Sequence, residues 1–245
     1  MLGPLRSLVL ALVLVGAARP ADADPEPLRV LLVGSSSMKG ALGNVLESTL
    51  RQWSNVEVTR VGVGSSGLAR PDFYDWMAEI DRLKGQVQPH VVVINIGAND
   101  AQGAWSSKGW IRWGRPAWRQ IYAERVDAIL QTTRGRRVFW VGPPNMRDTL
   151  FSRRLRDISD IIEQRVAAHP HARFVDAYSL TSDDKGAYVD ALVDFQGGTI
   201  PSRTLDGIHF TRKGAFLIAA RILSPLAAEV RDARAEAPAS GSEVW

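Results

Sequence analysis

Residues 28–37 read LRVLLVGSSS, and this stretch decides the fold. The apolar run 28–33 predicts a buried strand, and Gly34 with the three serines after it predicts a sharp turn. Beyond the turn, apolar residues recur at helical spacing as far as Trp53, so the strand leads directly into a covering helix. Apolar runs and amphipathic stretches continue to alternate along the chain. This alternation is typical of a parallel sheet with helices on its faces.

The sequence contains five runs that predict strands and five that predict helices. The strands are expected at 28–33, 56–63, 90–96, 137–141 and 173–176. The helices are expected at 37–53, 71–83, 116–132, 149–168 and 211–231. The segments 101–115 and 182–203 show no clear periodicity and are expected to be loops. We therefore predict an α/β protein, a three-layer α/β/α flavodoxin-like sandwich with a five-stranded parallel sheet.

The two ends of the chain differ in composition from its body. Arg6, the apolar run 7–16 and the small residues at 21–23 predict a signal peptide over residues 1–23. That run is shorter than the roughly 20 residues of a membrane-spanning helix, although a retained anchor is the alternative interpretation. Residues 24–232 are expected to form one domain, and 233–245, rich in Ala, Glu and Ser, a disordered tail. We expect a periplasmic or secreted protein without an integral membrane span after signal removal.

Composition excludes several classes of function. The chain has no cysteine, so a thiol nucleophile and a cysteine-ligated zinc site are unavailable, and the core alone must hold the fold. The formal net charge is +4, and the basic residues are scattered, so we expect no nucleic-acid partner. The four histidines show no ligand spacing, and no carboxylate cluster is visible. We therefore expect no metal and no cofactor.

Four polar motifs fall where ligands bind in open α/β sheets, beyond the carboxyl ends of the strands. They are Gly-Ser-Ser-Ser at 34–37, Ser-Gly at 66–67, Gly-Ala-Asn-Asp at 97–100, and Asp-Gly-Ile-His at 206–209, just before the last helix. Each motif alone has an ordinary structural interpretation. A serine at a strand–helix junction is commonly a helix cap, and Asn-Asp after a strand is commonly a turn. The position of all four motifs at one edge of the sheet instead predicts a functional site.

These residue types match the chemistry of a serine nucleophile. A serine hydroxyl needs a base to remove its proton, and His209 is the natural candidate because histidine is a common general base. Asp206, three residues earlier, can fold back to orient that ring and stabilise the imidazolium. The tetrahedral intermediate also needs hydrogen-bond donors aimed at its oxygen. The candidates are a backbone N–H at the start of the first helix, the N–H of Gly67 and the side-chain amide of Asn99.

The four motifs, in this order, resemble the conserved blocks of the SGNH (GDSL-type) hydrolase superfamily. The resemblance covers the whole predicted domain 24–232. Within the superfamily, the sequence is most similar to an uncharacterised bacterial envelope subgroup. It implies that Ser36 is the nucleophile and that Asp206 and His209 complete a catalytic triad. It further implies an oxyanion hole formed by the N–H groups of Ser36 and Gly67 and by Asn99. Asp100, the last residue of the third block, is interpreted as structural.

The first block departs from the pattern of the superfamily at two positions. Ser35 stands where the family has aspartate, and Ser37 stands where it has leucine. The usual aspartate is not a member of the triad, so the triad is complete without it. The register of the turn is open, since Ser35 or Ser37 could also be proposed as the nucleophile. Ser36 is preferred because it keeps the spacing of the family from Gly34.

The function predicted from these features is a serine esterase. Its substrates would be O-acyl esters of envelope glycans or lipids, O-acetyl esters among them, hydrolysed through an acyl-enzyme. Two alternatives stay open: an O-acyltransferase that passes the acyl group to a periplasmic glycan, and a non-catalytic polysaccharide-binding module. Trp105, Trp110 and Trp113 follow the Asn99 motif and could contact the substrate, or they could fold over their own hydrophobic patch.

Overall fold

The structure is a computed structural model that describes residues 26–236. The predicted signal peptide over 1–23 and residues 237–245 of the predicted tail lie outside this range. The described strands are β1 (Leu28–Gly34), β2 (Val56–Gly62), β3 (Val91–Asn95), β4 (Ala104–Ser106), β5 (Gly109–Ile111), β6 (Arg137–Val141), β7 (Ala172–Val175), β8 (Ala191–Val193) and β9 (Thr199–Pro201). The helices are α1 (Ser36–Lys39), α2 (Ala41–Leu50), α3 (Trp76–Val87), α4 (Pro116–Thr132), α5 (Thr149–Ala167), α6 (Ala177–Leu180) and α7 (Arg212–Glu236).

One five-stranded sheet forms the centre of the molecule, in the order β2-β1-β3-β6-β7. All four strand pairs are parallel, and this order is the flavodoxin-like one. The predicted fold class and the five predicted strands are confirmed. The carboxyl ends of β1, β2 and β3 therefore lie side by side at one edge, because parallel neighbours end together.

Side chains that alternate along the central strands face two separate cores. Leu31 and Val33 of β1 pack with the buried faces of α3, α4 and α5. Val30 and Leu32 pack with α1, α2 and α7 on the opposite face. Both faces of the sheet are therefore covered by helices, which is why its strands are apolar at consecutive positions. The three-layer prediction is confirmed.

The predicted helix 37–53 is divided into α1 and α2 by Gly40. The backbone of Gly40 lies at φ −101° and ψ −132°, outside the helical region. The two short helices pack closely, because a Cβ placed on Gly43 of α2 would collide with the carbonyl of Met38 in α1. Helix α2 then ends at Leu50, three residues earlier than predicted. Because α1 and α2 are separate helices, α1 can be positioned against the sheet independently of α2.

The prediction that a helix begins at Pro71 is wrong. Residues 71–73 form a turn, and α3 begins at Trp76 and continues to Val87. Asp75 is the N-cap, because its carboxylate accepts hydrogen bonds from the backbone N–H groups of Met77 (3.0 Å) and Ala78 (3.2 Å). The carboxylate of Asp75 satisfies two free N–H groups of the helix. Proline is compatible with a first-turn position but satisfies none of these donors.

Both segments predicted to be loops contain a short β-hairpin. Strands β4 and β5 pair antiparallel within 101–115, and β8 and β9 pair antiparallel within 182–203. Each of these strands has three residues, which is too short to produce a periodic pattern. Helix α7 also extends to Glu236, beyond its predicted end at residue 231 and four residues into the predicted tail. None of the helices within 26–236 is long and apolar enough to cross a bilayer.

Candidate active site

The turn after β1 holds Ser36 at the carboxyl edge of the sheet. Gly34 allows the turn to lie against β3, because a Cβ at this position would approach the carbonyl oxygen of Asn95 to 2.5 Å. The N–H of Ser35 donates to the same oxygen at 3.1 Å. Ser35 is buried and occupies the N-cap position, but its side chain makes no capping hydrogen bond. Ser36 follows as the first residue of α1, where a backbone N–H has no partner within the helix.

Ser36, His209 and Asp206 form a continuous chain of hydrogen bonds. The Nε2 atom of His209 lies 3.0 Å from Oγ of Ser36. On the other side of the ring, Nδ1 lies 2.7 Å from Oδ2 of Asp206. The side chains of His209 and Asp206 are about half exposed, at 44% and 45%. Ser36 and His209 are 173 positions apart in the sequence, and the structure brings them together with Asp206.

The protonation pattern of this chain follows from the state of Asp206. Partial burial raises the pKa of the carboxyl group, but hydrogen bonds from Thr204, His209 and two backbone N–H groups outweigh it and lower the pKa below its usual range. An ionised carboxylate only accepts hydrogen bonds, so Nδ1 of His209 carries the proton that it donates to Asp206. In the neutral ring Nε2 is then the acceptor for the hydroxyl proton of Ser36.

The second oxygen of Asp206 shapes the turn that carries His209. Oδ1 accepts hydrogen bonds from Oγ1 of Thr204 at 2.6 Å and from the N–H groups of Ile208 at 2.8 Å and His209 at 3.0 Å. Gly207 lies at φ +68°, a backbone conformation that favours glycine. One carboxylate therefore both closes the turn with Oδ1 and orients the imidazole with Oδ2.

Two arginines donate hydrogen bonds to backbone carbonyls of the same turn, and the sequence pattern did not predict either of them. Arg147 donates from Nη1 to the carbonyl oxygen of Leu205 at 2.7 Å and forms an ion pair with Asp190 at 2.7 Å. The backbone N–H of Arg147 also donates to the carbonyl oxygen of Gly207 at 3.3 Å. Arg147 thus holds the turn at two carbonyls, one on each side of Asp206.

Arg203 holds the turn at its far end and is buried, with 5% of its surface exposed. It donates from Nη1 to the carbonyl oxygen of Ile208 at 2.7 Å and from Nη2 to that of Asn145 at 2.6 Å. Its guanidinium lies 4.2 Å from the ring centre of Phe210. Burial lowers the pKa of Arg203 to about 10, so the group is still a cation at neutral pH. Sequence signals for this role are absent, because the partners are backbone carbonyls.

The loops after β2 and β3 carry the other predicted site residues, Gly67 and Asn99. The amide Nδ2 of Asn99 donates to the carbonyl oxygen of Ser66 at 2.9 Å, which places Asn99 against the loop of Gly67. The N–H of Gly67 has no hydrogen-bond partner within residues 26–236. Two of the three predicted oxyanion donors are thus brought together at the ends of the strands that flank β1.

Asp100 is the buried anchor of this pair of loops, as predicted. Its Oδ1 accepts from the N–H of Ala69 at 2.7 Å, and its Oδ2 accepts from the hydroxyl of Tyr122 at 2.9 Å. A Cβ at Gly67 would collide with Oδ1, so the glycine is required for this close approach. Burial raises the pKa of Asp100 to about 6, against the hydrogen bonds it accepts and the nearby charge of Arg125.

The three tryptophans of the insert 101–115 occupy different environments. Trp105 and Trp110 pair across the β4–β5 hairpin and are 44% and 50% exposed. The Trp110 ring lies on the backbone of Gly103, and the guanidinium of Arg70 lies 5.4 Å from its centroid. Trp113 instead packs against Trp118, with ring centroids 4.2 Å apart. The hairpin therefore presents two exposed indoles and uses the third for packing.

No group of three or more His, Asp or Glu side chains that could hold a metal ion occurs within the described range. The ring of His209 is engaged at Nδ1 with Asp206 and at Nε2 with Ser36. The chemistry that the site itself supports is proton transfer between a serine hydroxyl and an imidazole that a carboxylate orients.

The parallel sheet order β2-β1-β3-β6-β7, with helices on both faces, defines a three-layer α/β/α fold. The fold is shared with the lipase/acylhydrolase from Enterococcus faecalis, at 19% identity and a TM-score of 0.58, over 82% of this chain and 96% of that one. It is also shared with an acetylxylan esterase from Geobacillus stearothermophilus, at 15% identity and a TM-score of 0.55, over 81% of this chain and 94% of that one. An alpha/beta hydrolase enzyme from the metagenome of Lake Arreo, Spain, is 15% identical, with a TM-score of 0.57 over 81% and 94% of the two chains.

The chain belongs to the family described as "Protein of unknown function (DUF459)", whose model matches residues 29–225. None of the curated proteins matches the sequence. The predicted superfamily resemblance is confirmed at the level of the fold.

Proposed function

We propose that the protein is a serine esterase in which Ser36 is the nucleophile, His209 the general base and Asp206 the residue that orients it. The observation that carries this proposal is the pair of distances on either side of one imidazole, 3.0 Å to Oγ of Ser36 and 2.7 Å to Oδ2 of Asp206. Both lie within the reach required for proton transfer. An N-cap role for the serine does not account for them, since Ser36 lies within α1.

Acylation begins when the Oγ of Ser36 attacks the ester carbonyl and passes its proton to Nε2 of His209. The imidazolium that forms is stabilised by the ionised Asp206, to which Nδ1 already donates. The tetrahedral intermediate collapses as the carbonyl re-forms and the bond to the alcohol breaks. His209 then returns its proton to the departing alkoxide. The acyl group stays on Ser36 as an ester, which water hydrolyses by the same steps in reverse.

The negative oxygen of the intermediate needs donors that are in place before the reaction. We assign this role to the N–H groups of Ser36 and Gly67 and to Nδ2 of Asn99. The hydrogen bond from Asn99 to Ser66 uses one of the two amide protons and leaves the other for the substrate. Asp100 supports the same arrangement, because it fixes the loop next to Gly67 through the N–H of Ala69.

Exposure of the triad favours hydrolysis over acyl transfer. An acyltransferase must keep water from the acyl-enzyme while a second alcohol binds. The side chains of His209 and Asp206 are about half exposed. Water can therefore reach the acyl group freely, which is what an esterase requires.

The substrates we propose are O-acyl, including O-acetyl, esters of envelope glycans or lipids. Two exposed indoles on the β4–β5 hairpin offer flat apolar faces of the kind that stack on sugar rings. Proteins with this fold are named as an acetylxylan esterase and a lipase/acylhydrolase, so the fold accommodates both classes of ester. A periplasmic or secreted location follows from the signal peptide proposed at 1–23, with the domain proposed at 24–232.

Turnover of a short aryl ester tests the proposal. The wild-type protein is expected to release the phenol from 4-nitrophenyl acetate, and Ser36→Ala is expected to abolish release. Ser37→Ala, one residue away in the same turn, is the matched control and is expected to keep most of the activity. A folded wild-type protein with no turnover above the Ser36→Ala background would instead favour the non-catalytic binding module.

A further inference from the structure

A groove whose lining residues do not include the triad lies along helix α2. Its larger part has a volume of about 670 Å³ and lies between α2, the β8–β9 hairpin and the first turns of α7. A smaller part of about 410 Å³ shares Val45, Ser48 and Arg212 with it and reaches Ala41. We call the two parts together the α2–α7 groove. Its larger part lies within the size range of small-molecule sites, which is about 300–1,000 Å³.

The wall of the groove is apolar and carries two exposed phenyl rings. Phe195 at the hairpin is 69% exposed and Phe216 on α7 is 49% exposed. Their ring centroids are 6.4 Å apart in an edge-to-face arrangement. Ile200 and Leu217 extend the same surface. A ligand that covers large apolar side chains in a cavity binds more favourably, because covering them removes apolar area from water.

The rim of the groove carries uncompensated positive charge. Arg212 and Lys213 are the first two residues of α7, and neither has an ion-pair partner among the side chains that the structure describes. The first turn of α7 contains no acidic residue. Cations at the N-terminus of a helix oppose the helix dipole, so this placement works against stability. Such a conflict is typical of a residue that is placed for binding.

One carboxylate also lines the groove, but it is engaged within the hairpin. Oδ1 of Asp194 accepts hydrogen bonds from the N–H groups of Gln196 at 2.9 Å and Gly198 at 2.8 Å. The remaining lining residues are uncharged, so the groove has a net charge of +1 from Arg212, Lys213 and Asp194. A ligand with one negative charge neutralises the groove, whereas a doubly charged phosphate would leave an excess of negative charge.

We propose that the α2–α7 groove binds a fatty-acid anion. The alkyl chain lies against Phe195 and Phe216, and the carboxylate faces Arg212 and Lys213. This combination of an apolar wall and a rim charge of +1 fits an amphiphile with one chain and one negative charge. The site is separate from the esterase proposed above and does not require that activity.

Calorimetric titration of the Ser36→Ala protein with sodium dodecanoate, below its micelle-forming concentration, tests the binding. Using this variant removes catalysis from the measurement, so the result does not depend on the proposed function. Saturable binding at one site is expected. Dodecyltrimethylammonium, which has the same chain and the opposite charge, and acetate, which lacks the chain, are each expected to bind at least about tenfold more weakly.

Two variants separate the contributions of charge and of apolar surface to binding in the groove. The double variant Arg212→Gln/Lys213→Gln and the single variant Phe216→Ser are each expected to weaken dodecanoate binding about tenfold or more. Arg119→Gln, an exposed cation on α4, and Phe73→Ser, an exposed ring outside the groove, are the matched controls. Both controls are expected to stay within about twofold of the parent.

A structural readout distinguishes binding from a role in folding. Removing two cations from the first turn of α7 is expected to keep or raise the melting temperature while it weakens binding, because the helix dipole no longer opposes them. The proposal is overturned by an absence of saturable dodecanoate binding. It is equally overturned by equal affinity for the cationic amphiphile, or by groove variants that bind as tightly as the controls.

Discussion

The Nη1 atom of Arg203 donates a 2.7 Å hydrogen bond to the carbonyl oxygen of Ile208, the residue directly before His209. The same buried guanidinium donates to the carbonyl oxygen of Asn145, which follows β6. The base proposed for catalysis is thus connected, through one cation, to the edge of the central sheet. Its distance from Ser36 depends on this link as well as on the turn that Asp206 closes.

Replacing Arg203 should therefore reduce the rate of the chemical step more than substrate binding. We expect Arg203→Met to lower kcat by about 10- to 100-fold with KM nearly unchanged, because misplacement of a catalytic group by about 1 Å has effects of this size. It should also destabilise the fold by roughly 1–3 kcal/mol, since two carbonyls lose their donors. Steady-state kinetics and urea denaturation measure the two effects.

Arg147→Met is the matched control for this prediction. Arg147 donates to the neighbouring carbonyl of Leu205, but its side chain is 49% exposed and water can replace it. We expect a several-fold smaller effect on kcat than for Arg203→Met. Equal losses in the two variants would mean that burial of Arg203 has no part in positioning His209.

Asp206→Asn should impair catalysis while it leaves the turn in place. The amide can still accept a hydrogen bond through its oxygen, but it no longer requires the His209 proton to lie on Nδ1, and it does not stabilise an imidazolium. A loss of about 10³- to 10⁴-fold in kcat is expected on an aryl ester. An unchanged kcat would remove Asp206 from the proposed mechanism.

The lowered pKa of Asp206 gives this residue a second, pH-dependent signature. A carboxyl group whose pKa is lower in the folded state stabilises the protein above its unfolded pKa of about 3.9, and this contribution is lost as the pH falls below that value. The difference in unfolding free energy between wild type and Asp206→Asn should be constant above about pH 5 and shrink below about pH 4. Urea denaturation across this range measures it. A difference that grows toward acid pH would contradict the assignment.

Asp100 should show the opposite dependence. Its folded pKa of about 6 lies above the unfolded value, so the folded protein binds more protons than the unfolded chain between these two values. The contribution of Asp100 is therefore largest below about pH 4 and falls by about 3 kcal/mol as the pH rises through 6. The stability of wild type relative to Asp100→Asn, measured at pH 4 and pH 7, should decrease accordingly. An increase toward pH 7 would show that the hydrogen bonds outweigh burial.

Asn99→Ala should remove one donor from the proposed oxyanion hole. A loss of about 10²- to 10³-fold in kcat is expected, because a donor of this kind stabilises the transition state more than the substrate. Ser107→Ala, an exposed residue between β4 and β5, is the control and should have little effect on kcat. A rise in KM with kcat unchanged would assign Asn99 to substrate binding instead.

The sheet could be predicted because its sequence pattern has a simple physical cause. Strands such as β3 are covered on both faces, so residues 91–94 are all apolar and stand out from the amphipathic helices. The alignment of the polar motifs at one edge then follows from parallel pairing. Asp206 and His209 could also be predicted to pair, since a short carboxylate three residues earlier can fold back on the ring.

Other features could not be predicted, for reasons that are specific to each. The three-residue strands of the two hairpins are too short for periodicity, and the start of α3 depended on which of several residues caps it. Arg147 and Arg203 bind backbone carbonyls, which every residue has, so no partner is visible in the sequence. The packing role of Trp113 depends on contacts with Trp118 in a different element.

The most direct test of the central claim is covalent labelling by a fluorophosphonate probe, followed by mass spectrometry of the digested protein. The account predicts a single phosphonylated residue, Ser36, and no labelling of His209→Ala under the same conditions. The neighbouring serines make the result decisive, since all three lie in one turn. A label on Ser35 or Ser37, or labelling that persists without His209, would contradict the proposed triad.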